Sequence, residues 1–254
     1  MSDTSVPELA VSLLRAVEAG ENTTETEREL AALDRKELLN ALPDDRVKKA
    51  VWIDLYNAFA QLPLETNPRL FENRGTFFGA KRIPVAGRYL SLDDIEHGLL
   101  RRSQLSWGLG YLPDPQPSGF ERALRVERRD PRIHFALNCG ATSCPPIAAY
   151  TPEEIGSQLD LASESYLRGE VEFDRSKNVA RVPRLCLWYY GDFRGRRGIR
   201  SLLRRYGVIG DSATPRIRYK GYDWSLDRGN FRKSLSLSAE EPRESATNGR
   251  PIDD

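Results

Sequence analysis

The chain has 254 residues, 39% hydrophobic and 30% charged, with 19 Gly and 16 Pro. That length allows one large domain or two small ones, and the composition excludes a fibrous or wholly unfolded protein. Basic and acidic residues number 38 and 37, a net of +1, so no global field draws the chain to nucleic acid or anionic lipid, and nucleic acid is not an expected partner.

The opening Met1-Ser2-Asp3-Thr4-Ser5 lacks the basic flank and apolar stretch of a signal peptide, and the longest apolar run, Leu185 to Tyr190, is too short to span a bilayer. A cytoplasmic location is expected. The three cysteines, Cys139, Cys144 and Cys186, are too few and odd in number for a disulfide scaffold.

Apolar residues recur at three- and four-residue steps from Val6 to Ala19 and from Thr24 to Leu42, which predicts two surface helices as an N-terminal extension over 1–43. From Asp44 to Leu62 the apolar residues surround nearly the whole helical circumference, which predicts a buried helix. Its exceptions Asp54, Asn57 and Gln61 fall within roughly 60° of one another at 100° per residue, forming one polar seam. Such a seam is either a hydrogen-bonded network or a cavity lining, because an unpaired buried polar group costs about 1–3 kcal/mol.

Gly75, Gly79, Pro84 and Gly87 predict a loop with a hairpin. Ser91-Leu92-Asp93-Asp94 then opens a helix running to Arg101. Summed at 100° per residue, its buried face includes Glu96 and leaves His97 about 140° away. The Pro- and Gly-rich stretch Trp107 to Gly119 predicts a loop long enough to cover a site. Ile133 to Leu137 reads as a buried strand ending at Asn138-Cys139-Gly140. Thr151-Pro152-Glu153-Glu154 starts a helix reaching Leu167, and Val171–Phe173 with Val179–Val182 predicts a hairpin. Leu185 to Phe193 fits helix or strand equally. A helix over Gly198–Tyr206 and a strand over Ile217–Trp224 follow, and residues 232–254 predict a disordered tail. The fold expected is α+β: a single domain over 44–231, with a small mixed sheet, including the 132–137 strand, packed by helices.

Five phrases together resemble one family, the domain of unknown function 547. They are Trp52-Ile53-Asp54-Leu55-Tyr56-Asn57-Ala58, Leu92 to Gly98, Asp130 to Gly140, Ser143-Cys144-Pro145-Pro146 and Tyr222-Asp223-Trp224-Ser225-Leu226. The resemblance covers about residues 47–227. It implies a distant link to papain-like thiol folds, and it puts forward Trp52, Asp54, Arg132, Ser143, Cys144, Asp223 and Trp224 as binding residues. The family more often carries Asn where this chain has Asp54 and Asp227.

A thiol followed by Gly140 at the end of a buried strand predicts Cys139 as nucleophile, with backbone N–H groups nearby for an oxyanion. Of the two imidazoles, His134 lies about 16 Å from Cys139 if the strand is extended, which leaves His97 as base. Glu96, Asn57 and Asn138 would support it. The expected function is a cysteine-dependent hydrolase or acyl-transferase acting on a small molecule or peptide, with no cofactor and no metal. The plain structural reading makes Cys139 a packed core residue and His97 a surface one.

A Cys139–Cys144 redox disulfide is a further possibility, although four intervening residues differ from the two-residue redox spacing. A zinc set from the cysteines matches no known spacing. The alternative function is a non-enzymatic binding or scaffold module. It would rest on the buried polar network and on a basic helix whose Arg194, Arg196, Arg197, Arg200, Arg204 and Arg205 surround an apolar face.

Overall fold

The computed structural model describes residues 4–232, so the expected tail lies, apart from Arg232, outside the described residues. α1 (Val6–Ala19) starts with a capping box at Ser5 and Glu8 and buries Leu9, Leu13, Leu14 and Val17. The expected second helix is two, α2 (Thr24–Ala32) and α3 (Arg35–Ala41). Asp34 breaks the run because its side chain accepts from Lys36 N and caps the new helix.

α4 (Asp45–Thr66) is capped by Asp44, runs through Pro63 and is buried along nearly its whole length. α1 packs along it, and the two share one apolar core. A 3₁₀ turn (Pro68–Glu72) and α5 (Arg74–Gly79) lead to the hairpin β1 (Ile83–Val85) and β2 (Arg88–Leu90). Its turn needs positive φ at Ala86 (49°) and Gly87 (69°), the two-residue geometry that matches strand twist.

Two corrections to the sequence-based expectations shape the site. The segment from Ser91 to Arg101 is capped as expected, Ser91 and Asp94 exchanging hydrogen bonds, but Asp94–Leu100 winds as a π-helix. Arg101 N bonds Glu96 O and Ser103 N bonds Gly98 O, five residues back. A wheel drawn at 100° per residue therefore misplaces His97, whose side chain is only 15% exposed.

The expected strand Ile133–Leu137 is a 3₁₀ turn, Pro131–Phe135, and joins no sheet. Asp130 caps it by accepting from Arg132 N, Pro131 takes the first position, and Ala136 N and Leu137 N both bond Ile133 O. A short apolar run fits a buried helical turn as well as a strand, and the Asp-Pro start decides between them.

α6 (Gly119–Leu124) follows the 107–118 loop, and α7 begins later than expected, at Ile155, and ends at Glu170. β3 (Glu172–Asp174), β4 (Val179–Val182) and β5 (Arg216–Tyr219) form the mixed sheet, with β3 antiparallel and β5 parallel to β4. β5 stops short of the expected Trp224. Between β4 and β5 lie α8 (Leu185–Trp188) and α9 (Gly195–Arg205), and this second apolar cluster includes Leu185, Phe193, Ile199 and Ile217. The molecule is α+β, helices packed around two small sheets. Among the described residues no helix is long and apolar enough to cross a membrane.

Candidate active site

The seam on α4 is a clamp on the cysteine loop. Asn57 Nδ2 donates to Ala136 O at 3.0 Å, and its Oδ1 accepts from Asn138 N at 2.8 Å. The Asn138 side chain spans the loop: Oδ1 accepts from Gly140 N and from Gln61 Nε2, while Nδ2 donates to Pro145 O at 2.7 Å. Gly140 sits at φ +92°, and a Cβ there would meet Leu64 at 3.0 Å, so the turn requires glycine. Asn57 and Asn138 are fully buried, and their hydrogen bonds go to backbone and to Gln61 rather than to a cavity.

The chain from Tyr222 to Phe231 runs beside this loop as a strap. Thr142 N bonds Ser225 O, Asp227 N bonds Gly140 O, and Asp223 N bonds Ser143 Oγ at 2.8 Å. Gln61 Oε1 receives Gly229 N from the same strap. Tyr222 and Trp224 are thereby set over the cysteines, their rings 4.6 Å apart and Trp188 packed against both.

The sulfurs of Cys139 and Cys144 lie 2.8 Å apart. Cys144 Sγ also faces Cys139 N at 3.2 Å and the Tyr222 hydroxyl at 3.1 Å. Burial alone would raise the Cys144 thiol, but these donors together bring it down to about 7. Cys139 is the complement: its hydrogen bond to Cys144, with burial, pushes its thiol well up. The opposite directions of the two shifts favour Cys139 as the sulfur that donates across their 2.8 Å contact. Cys186 stands apart, fully buried and pushed up to about 12 by burial.

Cys139 and Cys144 line a cavity of about 320 Å³ that also displays Glu96, His97, His134 and the aromatic rings of Trp107, Trp188, Tyr189 and Trp224. Because the 3₁₀ turn is compact, the extended-strand separation that set His134 aside does not hold, and both imidazoles line the same space as the sulfurs. Sequence reasoning set His134 aside on that distance and did not bring Asp192 to the site; the Asp130-Pro131 cap was the signal that could have kept the first.

The histidines are held differently. Arg101 Nη1 lies 2.7 Å from His97 Nδ1; a guanidinium only donates, so Nδ1 accepts and the ring proton sits on Nε2, 3.6 Å from Asp93. His134 Nε2 lies 3.0 Å from Asp192 Oδ2, which fixes its proton there and leaves Nδ1 as the basic nitrogen. Its ring stacks on Tyr189 at 3.7 Å, and burial lowers its basicity while Asp192 opposes that.

Arg101 and Arg129 both donate to Asp192 at 2.7 Å. Burial would raise that carboxyl, but His134 and Arg101 hold it far below the usual carboxylate range. Glu96 accepts from Tyr56 at 3.2 Å, and although its burial works the other way, His97 and His134 keep it ionised more readily than a free glutamate.

A family model described as Protein of unknown function, DUF547, matches residues 39–167, just over half of the chain. This chain belongs to the DUF547 family. No curated protein and no solved structure matches it. The family match contains both cysteines of the loop, both histidines, Glu96 and the α4 seam, whereas the strap with Tyr222 and Trp224 and the anchor Asp192 lie beyond it.

Several residues put forward by the DUF547 motifs stand away from the cavity. Trp52 is buried and donates from Nε1 to Leu124 O, and Asp54 accepts from Tyr150 N with both oxygens. Arg132 is paired with Asp130 and Asp160. Ser143 and Asp223 tie the strap to the loop, leaving Cys144 and Trp224 as the two expected binding residues that line the cavity. Among the described residues no three His, Cys, Asp or Glu side chains are grouped to hold a metal. On the basic helix, Arg200 donates to Pro215 O, Arg204 to Ala213 O and Arg205 to Asp160.

Proposed function

We propose that the chain is a cysteine-dependent hydrolase or acyl-transferase for substrates whose acyl part is apolar or aromatic, with Cys144 as the nucleophile. The observation that carries this reading is the sulfur cradle. Cys144 receives three donors at the edge of a cavity that also displays two imidazoles. Sequence reasoning gives the nucleophile's role to Cys139; the cradle favours its neighbour, because a thiolate is stabilised where N–H, O–H and S–H groups converge on it.

In this reading Cys144 gives its proton to His134 Nδ1, whose other nitrogen Asp192 holds, and the thiolate attacks the acyl carbonyl carbon. The C–S bond forms, the bond to the leaving group breaks, and that group departs with the imidazolium proton. Water, or a second acceptor, then loses a proton to His134 and attacks the thioester, returning the Cys144 thiolate. In the same reading His97, with its proton on Nε2, donates to a substrate oxygen. The aromatic walls supply binding area rather than charge.

The test is an acyl-enzyme trap with aromatic and medium-chain p-nitrophenyl esters, read by peptide mass spectrometry. An acyl adduct on Cys144, slowed at least tenfold in His134→Ala and lost in Cys144→Ser, is the expected result. Ester turnover unchanged in Cys144→Ser overturns the reading.

A further inference from the structure

The acyl-transfer reading uses one sulfur of a pair. A single nucleophilic thiol needs a base and an oxyanion donor, but it does not need a second thiol at 2.8 Å. We infer that Cys139 and Cys144 are a peroxide-oxidisable dithiol that closes reversibly into an intraloop disulfide. Three observations converge on this. The sulfurs are already in contact, so bond formation asks for a shift of under about 1 Å toward a normal S–S length. The loop that carries them is clamped at both ends by Asn138, which fixes the two sulfurs as neighbours in the reduced state. The pair is also asymmetric, with the donors gathered on Cys144, which divides it into an attacking and a resolving sulfur.

The oxidant is a small hydroperoxide. Cys139 and Cys144 are 9% and 5% exposed and line the cavity with Tyr222 and Trp224, burial that suits an oxidant of hydrogen peroxide's size rather than a folded protein disulfide. The Cys144 thiolate attacks one peroxide oxygen; an S–O bond forms, the O–O bond breaks, and hydroxide leaves and takes up a proton. Cys139 sulfur then attacks the sulfenic sulfur. The S–S bond forms, the S–O bond breaks, and hydroxide leaves with the Cys139 proton as water. Two thiols are oxidised by two electrons, and one peroxide becomes two waters. The nearness of Cys139 favours disulfide closure over further oxidation of Cys144.

The disulfide stands by itself; its consequence, that oxidation removes the nucleophile and silences ester turnover, rests on the acyl-transfer reading. The test treats the full-length protein with one to three equivalents of hydrogen peroxide, then alkylates under denaturing conditions and digests with trypsin. The peptide 133–168 carries both cysteines and 185–194 carries Cys186, so the products separate cleanly. The expected result is a loss of about 2 Da on the first peptide, reversed by dithiothreitol, with Cys186 still fully alkylated. In Cys139→Ser, Cys144 is expected instead as a sulfenic acid trapped by dimedone. Both loop thiols still alkylated after peroxide, or oxygen added without the 2 Da loss in the wild-type protein, overturns the inference. A disulfide that forms in a protein with no ester turnover removes the acyl-transfer reading alone, and turnover without a disulfide removes this inference alone.

Discussion

Asp54 shows how one atom's change in chemistry alters a buried position. It is fully buried, accepts the Tyr150 N–H, and burial pushes its carboxyl well above the ordinary value of 3.8 although that N–H and the Arg15 charge act the other way. Because the folded-state value exceeds the unfolded one, its contribution is fully present below 3.8 and is lost as pH rises toward the folded value. Asp54→Asn keeps the acceptor for Tyr150 and removes the titration. We expect the variant to be more stable than wild type at pH 8 by about 1–3 kcal/mol, with the gain shrinking toward pH 4, in urea titrations at both pH values. Equal midpoints at pH 8 would show that the carboxylate is compensated. The sequence placed Asp54 in the core correctly, since the wheel of α4 is reliable over a regular helix. It could not say that the residue faces the Tyr150 backbone N–H rather than a ligand, because that partner lies 96 positions away.

At the scale of elements, legibility followed regularity. The hairpin β3–β4, the long α4 and the Ser91 cap were readable because local chemistry decides them. The helix from Ser91 and the inward-facing Glu96 agree with the sequence reading, but the placing of His97 and the strand over 133–137 do not, because both elements depart from the two standard periods. The π-helix carrying Glu96 and His97 shifts its faces, and the 3₁₀ turn carrying His134 looks like a strand to a hydropathy count. The α4 pattern fits either a network or a cavity lining, and in the structure it is a network. Its hydrogen bonds hold the cysteine loop, so Asn57→Ala leaves Ala136 O and Asn138 N buried without partners. The expected cost is about 2–4 kcal/mol by chemical denaturation, with Cys144 losing its depressed reactivity pH as the loop relaxes. A variant that is destabilised but labels as wild type would separate the clamp from the cradle.

For the whole molecule, the N-terminal helix α1 packs into the same core as the helix that holds the cysteine loop. α1 buries six residues in the core it shares with α4, and α4 in turn carries the seam that clamps the loop. A chain beginning at Asp44 is expected to lose cooperative thermal unfolding. A melting temperature within about 3 °C of the full chain would show the extension to be dispensable. Strap, loop and the His134–Asp192 pair come together from segments far apart in sequence, which is why spacing alone led to Cys139 and His97 where the proposed site uses Cys144 and His134. The central claim is that Cys144 is the ionised sulfur of the pair. It is tested most directly by the pH dependence of iodoacetamide labelling of each cysteine in the folded protein. The account predicts that Cys144 labels fastest with a midpoint of about 7, while Cys139 lags and Cys186 stays inert. Cys139 labelling first, or neither loop cysteine reacting until the protein unfolds, would contradict it.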